Sequence, residues 1–177
     1  MAVYSKDTIF KLKALGTYQL VYATTGLALT LWLLQQGNLK FHMVMAVFIL
    51  VTGMYLFGVY CGILCFQADK KCPQYSSINQ YLQLFGFSIM GYGFTYVAGL
   101  SLNLGFDLTN TFIIRLKMQL FSIWHIEFDN HSDVILLNLN IAALLVIIII
   151  ERMKKVMRKE EETELLTIEG EQTLSKR

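Results

Sequence analysis

The sequence predicts an all-α membrane protein: a four-transmembrane-helix bundle with both termini in the cytoplasm and a small extracytoplasmic β-hairpin between helices 3 and 4. Hydrophobic residues make up 55% of the 177 residues and charged residues only 16%, whereas a soluble domain carries about 25% charged residues. Four apolar stretches approach the roughly 20 residues that a helix needs to cross a bilayer. They cover residues 14–34, 41–66, 78–104 and 134–150.

Basic residues are distributed unequally between the segments that flank these stretches. Twelve of the 15 Lys and Arg residues precede the first stretch, separate the second from the third, or follow the fourth. The remaining three are Lys40, Arg115 and Lys117. Because short cytoplasmic loops are enriched in Lys and Arg, the distribution predicts that both termini are cytoplasmic. We therefore expect a multi-pass protein of the bacterial inner membrane.

The sequence divides into two predicted regions. Residues 1–157 are predicted to form one membrane domain, and residues 158–177 are predicted to form a charged cytoplasmic tail. The fourth stretch has 17 residues and rises only about 25 Å as a helix, so its helix is expected to continue into the interface.

The outer loop, residues 105–133, has the period-two alternation that is typical of half-buried strands. Its apolar and charged residues predict a β-hairpin in which Lys117 faces Glu127. We predict partner contacts in this loop, at Arg115, Lys117, Trp124, His125, Glu127 and Phe128. An alternative is a metal site built from His125, Glu127, Asp129, His131 and Asp133, but alternate residues on one strand lie ~7 Å apart in a line, which is poor geometry for one ion.

Small residues in the second and third stretches predict close helix packing. A GxxxG step in the second stretch and a glycine-rich third stretch allow backbones to approach closely in lipid. The predicted packing residues are Gly58, Gly62, Gly86, Gly91, Gly93 and Gly99. The cysteines Cys61, Cys65 and Cys72 are interpreted as reduced thiols whose spacing matches no metal or redox motif. Cys61 and Cys65 suit packing within a helix and Cys72 falls in the next loop; the alternative is that the three thiols hold a metal.

No residue pattern predicts catalysis, a cofactor or a metal. The apolar stretches contain no carboxylate or lysine, the residues that a proton-coupled transporter normally uses. Asn79, Gln80 and Gln83 are polar residues at the start of the third stretch, and they are the feature that would suit a transport path. The net charge of +2 does not suggest nucleic acid.

Two segments resemble a group of small bacterial proteins. They are YCGILCFQ (residues 60–67) and SSINQYLQLFGFSIMGYGFTYVAGLSLNLGFDLTN (residues 76–110), and LKALGTYQL (residues 12–20) is similar to the start of the same group. The group consists of uncharacterised four-span integral membrane proteins, so the resemblance implies a bacterial membrane protein and transfers no activity.

We therefore predict a non-enzymatic integral membrane protein, a structural, accessory or interaction subunit that uses its outer loop and helix faces for contacts. Its expected partners are the lipid bilayer and either another membrane protein or a second copy of itself. The alternative prediction is a small oligomeric transporter or channel.

Overall fold

The computed structural model describes residues 4–36, 42–89, 92–109, 113–120, 122–127 and 135–175. The described part contains four helices and six strands. The helices are α1 (Lys6–Gln36), α2 (His42–Phe66), α3 (Cys72–Tyr81) and α4 (Ile141–Ser175). The strands are β1 (Phe85–Ile89), β2 (Tyr92–Val97), β3 (Ser101–Asp107), β4 (Ile113–Gln119), β5 (Ile123–Glu127) and β6 (Ile135–Asn140).

The predicted four-transmembrane-helix bundle is wrong, and the prediction of a multi-pass inner-membrane protein with cytoplasmic termini is wrong with it. Among the described helices, α2 alone is both long and apolar enough to cross a membrane, over Met45–Phe66. The first predicted span lies within α1, whose threonines, tyrosines and glutamine lower its hydropathy.

The third predicted span, residues 78–104, is divided between the end of α3 and three strands. Glycine destabilises a helix interior, and aromatic and β-branched residues favour strands. The glycines at positions 86, 93 and 99, together with alternating aromatic side chains, therefore favour a sheet. Mean hydropathy does not register this difference, because it ignores the order of the residues.

The fourth predicted span, residues 134–150, changes from strand to helix at Asn140. Ten apolar helical residues remain, Ile141–Ile150, and they rise about 15 Å, half of a bilayer's apolar core. Asn140 starts the helix because its side-chain oxygen accepts hydrogen bonds from the backbone N–H groups of Ala142 (3.1 Å) and Ala143 (3.3 Å). The charged segment then continues α4 to Ser175.

The six strands form one antiparallel sheet in the order β4-β3-β6-β1-β2-β5. The predicted β-hairpin is also wrong: β4 pairs with β3 and β5 pairs with β2, which places them at opposite ends of the strand order. The alternation did mark two strands. It did not identify their partners, because β2 and the first half of β3 lie in residues 78–104, which were predicted to be a membrane-spanning helix.

The sheet is curled. Six flat strands would place β4 and β5 about 24 Å apart, but Gln119 and Ile123 are only four positions apart in the sequence, and four steps along the chain reach at most ~14 Å. The two outer strands must therefore approach each other at the end of the sheet where β4 stops and β5 starts.

The core lies in three clusters. One joins the start of α1, the end of α2 and the charged part of α4, and it includes Leu12, Cys65 and Met153. A second packs Tyr55 of α2 against Tyr96 of β2, with ring centroids 5.2 Å apart. The third packs Ala143 and Ile147 of α4 against Leu84, which precedes β1.

Candidate functional site: an apolar outer face and a cationic end

The inner face of the curled sheet is polar and buried. In β3 the buried positions are Ser101, Asn103, Gly105 and Asp107, while the residues between them are only half-buried. The inner face is also crowded, since a Cβ atom at Gly105 would lie 2.8 Å from Asn138 Oδ1. Polar and glycine residues therefore fill the concave side of the sheet.

Asp107 is a buried charged residue on this inner face. Its carboxylate accepts hydrogen bonds from the Thr109 hydroxyl (2.7 Å) and the Thr109 backbone N–H (3.1 Å). Arg115 on β4 forms an ion pair with it at 2.7 Å. The two Thr109 hydrogen bonds, with help from the Arg115 charge, lower the pKa of the Asp107 carboxyl. This network ties the end of β3 to β4.

The outer face of the sheet is apolar and exposed. Phe85 is 62% exposed, Leu116 69% and Met118 63%. Other large apolar side chains on this face share this exposure, namely Phe87, Ile89, Tyr92, Ile114 and Leu137. The sheet therefore has the reverse of the usual polarity, in which the apolar face is buried.

The helices carry further exposed apolar side chains. Only a third of the most apolar window of α2 is buried. The α2 residues left exposed include Ile49, Leu50, Leu56 and Ile63. On α1 the exposed group includes Leu31, Trp32 and Leu33, and on α4 it includes Leu145 and Ile149. Together with the outer face of the sheet, these residues form what we call the apolar exterior.

The predicted partner-contact residues lie on two separate strands. Arg115 and Lys117 are exposed on β4, and Trp124, His125 and Glu127 lie on β5 at the other end of the strand order. Phe128 lies outside the described residues, as do Asp129, His131 and Asp133 of the alternative metal site. Among the residues that are described, no group of three metal-ligating side chains occurs. Partner contact at these positions stays a prediction.

The predicted packing glycines have several different neighbours. A Cβ atom at Gly62 would lie 2.6 Å from Leu20 Cγ and 3.1 Å from the Gly16 carbonyl oxygen, both on α1. At Gly58 it would lie 3.0 Å from Ala23 Cβ. Gly86 and Gly93 lie in strands, and Gly99 has φ +130° beside Tyr18. Gly91 lies outside the described residues. The close helix contact therefore joins α2 to α1.

The polar residues at the start of the third predicted span are buried: Asn79 and Gln80 lie on α3, and Gln83 lies just after its end. Gln83 donates to the Asn79 carbonyl oxygen (3.2 Å) and accepts from the Ala98 backbone N–H (2.9 Å). Gln80 is 1% exposed, and neither of its amide atoms has a hydrogen-bond partner among the described residues. The transporter alternative stays a prediction.

Cys65 and Cys72 form a disulfide, which corrects the interpretation of all three cysteines as reduced thiols. It joins the end of α2 to the start of α3, and both residues are fully buried. Cys61 is free and buried. Sequence reasoning missed the bond because the spacing of seven residues matches no redox motif; only the turn after Phe66 brings the two side chains together.

Basic residues from three segments lie at one end of the molecule. The start of α1 is joined to α4 by hydrogen bonds from Tyr4 to Glu161 (2.5 Å) and from Thr8 to Glu160 (3.0 Å). Lys70 and Lys71, in the turn between α2 and α3, line a cleft against Lys154 and Arg158 of α4. The molecule therefore combines an apolar exterior with a cationic end. Comparisons of this chain with protein-family models, with curated proteins and with solved structures find no match.

Proposed function

We propose that this chain is a non-enzymatic contact protein whose apolar exterior is covered by lipid. The observation that carries the proposal is the reversed polarity of the sheet: Asn103 and Asp107 are buried on its inner face, while Phe85 and Leu116 are exposed on its outer face. Such a sheet is favoured where its surroundings are less polar than its interior.

The magnitude of the exposure supports an apolar covering. A large apolar side chain gains about 1.5–3 kcal/mol when it is fully removed from water. The outer face of the sheet leaves about eight such side chains at 40–70% exposure, so covering them would contribute on the order of 10 kcal/mol. This free energy is comparable with the total free energy of unfolding of a typical domain.

Lipid is the covering that the composition of α2 favours. Its 25 residues include no charged side chain, and a helix of that length is about 37 Å long, sufficient to match the apolar thickness of a bilayer. A protein partner of the usual kind would meet a mixed surface, because protein–protein interfaces are only about 57% apolar. The proposal requires contact between lipid and the apolar exterior. It does not require four membrane-spanning helices.

Quenching of tryptophan fluorescence by lipids with brominated acyl chains tests the proposal. The chain has two tryptophans, so Trp124→Phe leaves Trp32, which is 54% exposed on α1. We expect Trp32 emission to be blue-shifted and strongly quenched in vesicles of brominated phosphatidylcholine.

The matched control moves the tryptophan to the cationic end. Trp32→Phe and Trp124→Phe are combined with Lys155→Trp, since Lys155 is exposed on the charged part of α4. We expect much weaker quenching from this position. Equal quenching of the two probes, or a wild-type protein that remains monodisperse in buffer without lipid or detergent, would overturn the proposal.

A further inference from the structure

The cationic end contains a cleft of about 310 Å³ between the α2–α3 turn and α4. Four cationic side chains line it: Lys70 and Lys71 from the turn, and Lys154 and Arg158 from α4. Lys154 and Arg158 are four residues apart and thus lie on one face of the helix. The fold therefore brings together two pairs of cations that are more than 80 residues apart in the sequence.

The acidic groups near the cleft are engaged by other partners. Glu161, the one carboxylate among the described lining residues, accepts the hydrogen bond from the Tyr4 hydroxyl. Asp69 accepts a hydrogen bond from the Lys71 backbone N–H at 2.8 Å. Among the described residues that line the cleft, four cations face one carboxylate, so the lining itself has an excess of positive charge.

Two of the four cations, Lys154 and Arg158, form ion pairs, and both pairs are weak. Lys154 lies 3.9 Å from Glu151, and Arg158 lies 3.4 Å from Glu162. In both pairs the cation and its carboxylate partner are each more than 40% exposed. Exposed ion pairs contribute little because water and salt screen them. Lys70 and Lys71 have no ion pair within the described part of the chain. All four cations can therefore turn toward a bound anion.

The position of the cleft relates it to the apolar exterior. Lys70 follows the end of α2, Phe66, by four residues. A second cavity, of about 260 Å³, places Lys11 and Arg152 beside the apolar side chains of Ile149 and Val156. Cations therefore lie where the apolar surface ends, as they do in segments that bind anionic lipid headgroups.

We propose that the cleft between Lys70–Lys71 and Lys154–Arg158 binds the phosphate group of an anionic phospholipid headgroup. The inference rests on the proposed function, since the acyl chains of that lipid would cover the neighbouring apolar exterior. Arginine offers paired N–H donors to phosphate oxygens, and the lysines add point charges. A free phosphate ion has the same headgroup chemistry but gains nothing from the apolar surface.

Competition between two lipids tests the proposal. The full chain in mild detergent is equilibrated with equimolar phosphatidylglycerol and phosphatidylcholine, and native mass spectrometry gives the ratio of the two bound lipids. We expect phosphatidylglycerol to exceed phosphatidylcholine about tenfold in the wild type, because cations near a headgroup each add to the attraction.

Two variants with equal loss of charge locate the site. The cleft variant carries Lys70→Gln, Lys71→Gln, Lys154→Gln and Arg158→Gln. The control variant carries Lys6→Gln, Lys13→Gln, Lys155→Gln and Lys159→Gln, which alters exposed cations at the same end of the molecule. We expect a ratio near one for the cleft variant and a ratio close to the wild-type value for the control.

Three outcomes would overturn the proposal: no preference in the wild type, an equal loss in both variants, or displacement of phosphatidylglycerol by inorganic phosphate at equal ionic strength. The last outcome would assign the cleft to a free anion. A protein that binds both lipids equally would still satisfy the proposed function, whereas one that binds neither lipid would contradict it. The two proposals can therefore fail separately.

Discussion

Gln119 ends β4 at one end of the strand order and Ile123 begins β5 at the other, although only three residues lie between them in the sequence. The short connection requires the sheet to curl, and the curl divides its faces unequally. The concave side has little room and holds glycine and polar side chains. The convex side carries large apolar ones. This relationship underlies the apolar exterior and the function proposed for it.

The contact between α1 and α2 predicts opposite effects for two glycine substitutions. Gly62→Ala should lower the free energy of unfolding by about 1–3 kcal/mol, because the new Cβ would lie 2.6 Å from Leu20 Cγ. Gly53→Ala meets no atom within 4 Å and should be neutral or stabilise the helix by up to ~1 kcal/mol. Chemical denaturation followed by circular dichroism measures both. A loss of stability in Gly53→Ala as large as that in Gly62→Ala would contradict this packing.

The disulfide predicts a thiol count and a loss of stability. An alkylating reagent should modify one cysteine, Cys61, in protein that is denatured without reduction. After reduction it should modify all three cysteines. Cys65→Ala combined with Cys72→Ala should lower the free energy of unfolding by about 2 kcal/mol, since the bond closes a short loop and restricts the unfolded chain. Cys61→Ala is the control and should leave the disulfide intact. Three reactive thiols before reduction would refute the bond.

The Asp107 network predicts a dependence of stability on pH. Because the pKa of Asp107 is lower in the folded protein, the unfolded state binds more protons in acid. The stability from this group should be fully present above the ordinary carboxyl pKa of about 3.9 and be lost as the pH falls through the lower folded value. Asp107→Asn should remove this component from melting curves recorded between neutral pH and strong acid.

Asp7→Asn is the control for that series, since it alters an exposed carboxylate on α1. Its melting curves should keep the acid component that Asp107→Asn removes. If the two variants depend on pH in the same way, the network around Asp107 is not the source.

The helix cap at Asn140 predicts a graded series. Asn140→Ala removes the acceptor for the Ala142 and Ala143 N–H groups, as well as for Leu102 N–H at 3.2 Å. It should cost about 1–2 kcal/mol of stability. Asn140→Asp keeps the acceptor oxygen, and the amide nitrogen that it loses has no hydrogen-bond partner among the described residues. This variant should therefore retain most of the stability, as measured by denaturation. Equal losses would show that the cap does not stabilise α4.

Several features are determined by the sequence alone, because they depend on residues close together in the chain. Alternation marks the strands at Ile113–Gln119 and Ile123–Glu127. An uninterrupted apolar run produces α2, and the distribution of Lys and Arg identifies the segments that become the cationic end. Each is a local property that periodicity or composition reports directly.

Tertiary structure alone decided how these pieces are used. The pairing of β5 with β2, the pairing of β6 with β1 and β3, and the cleft at Lys154 join residues whose contact depends on the path of the whole chain. The β3–β4 pair and the Cys65–Cys72 bond join residues that are close in the sequence, but neither periodicity nor composition reports them. Hydropathy made residues 78–104 and 134–150 resemble spans, since apolar content is the same whether it faces outward from a sheet or along a helix. Which face is buried is decided by the curl of the sheet, and that curl follows from the pairing of distant strands together with the short connection from β4 to β5.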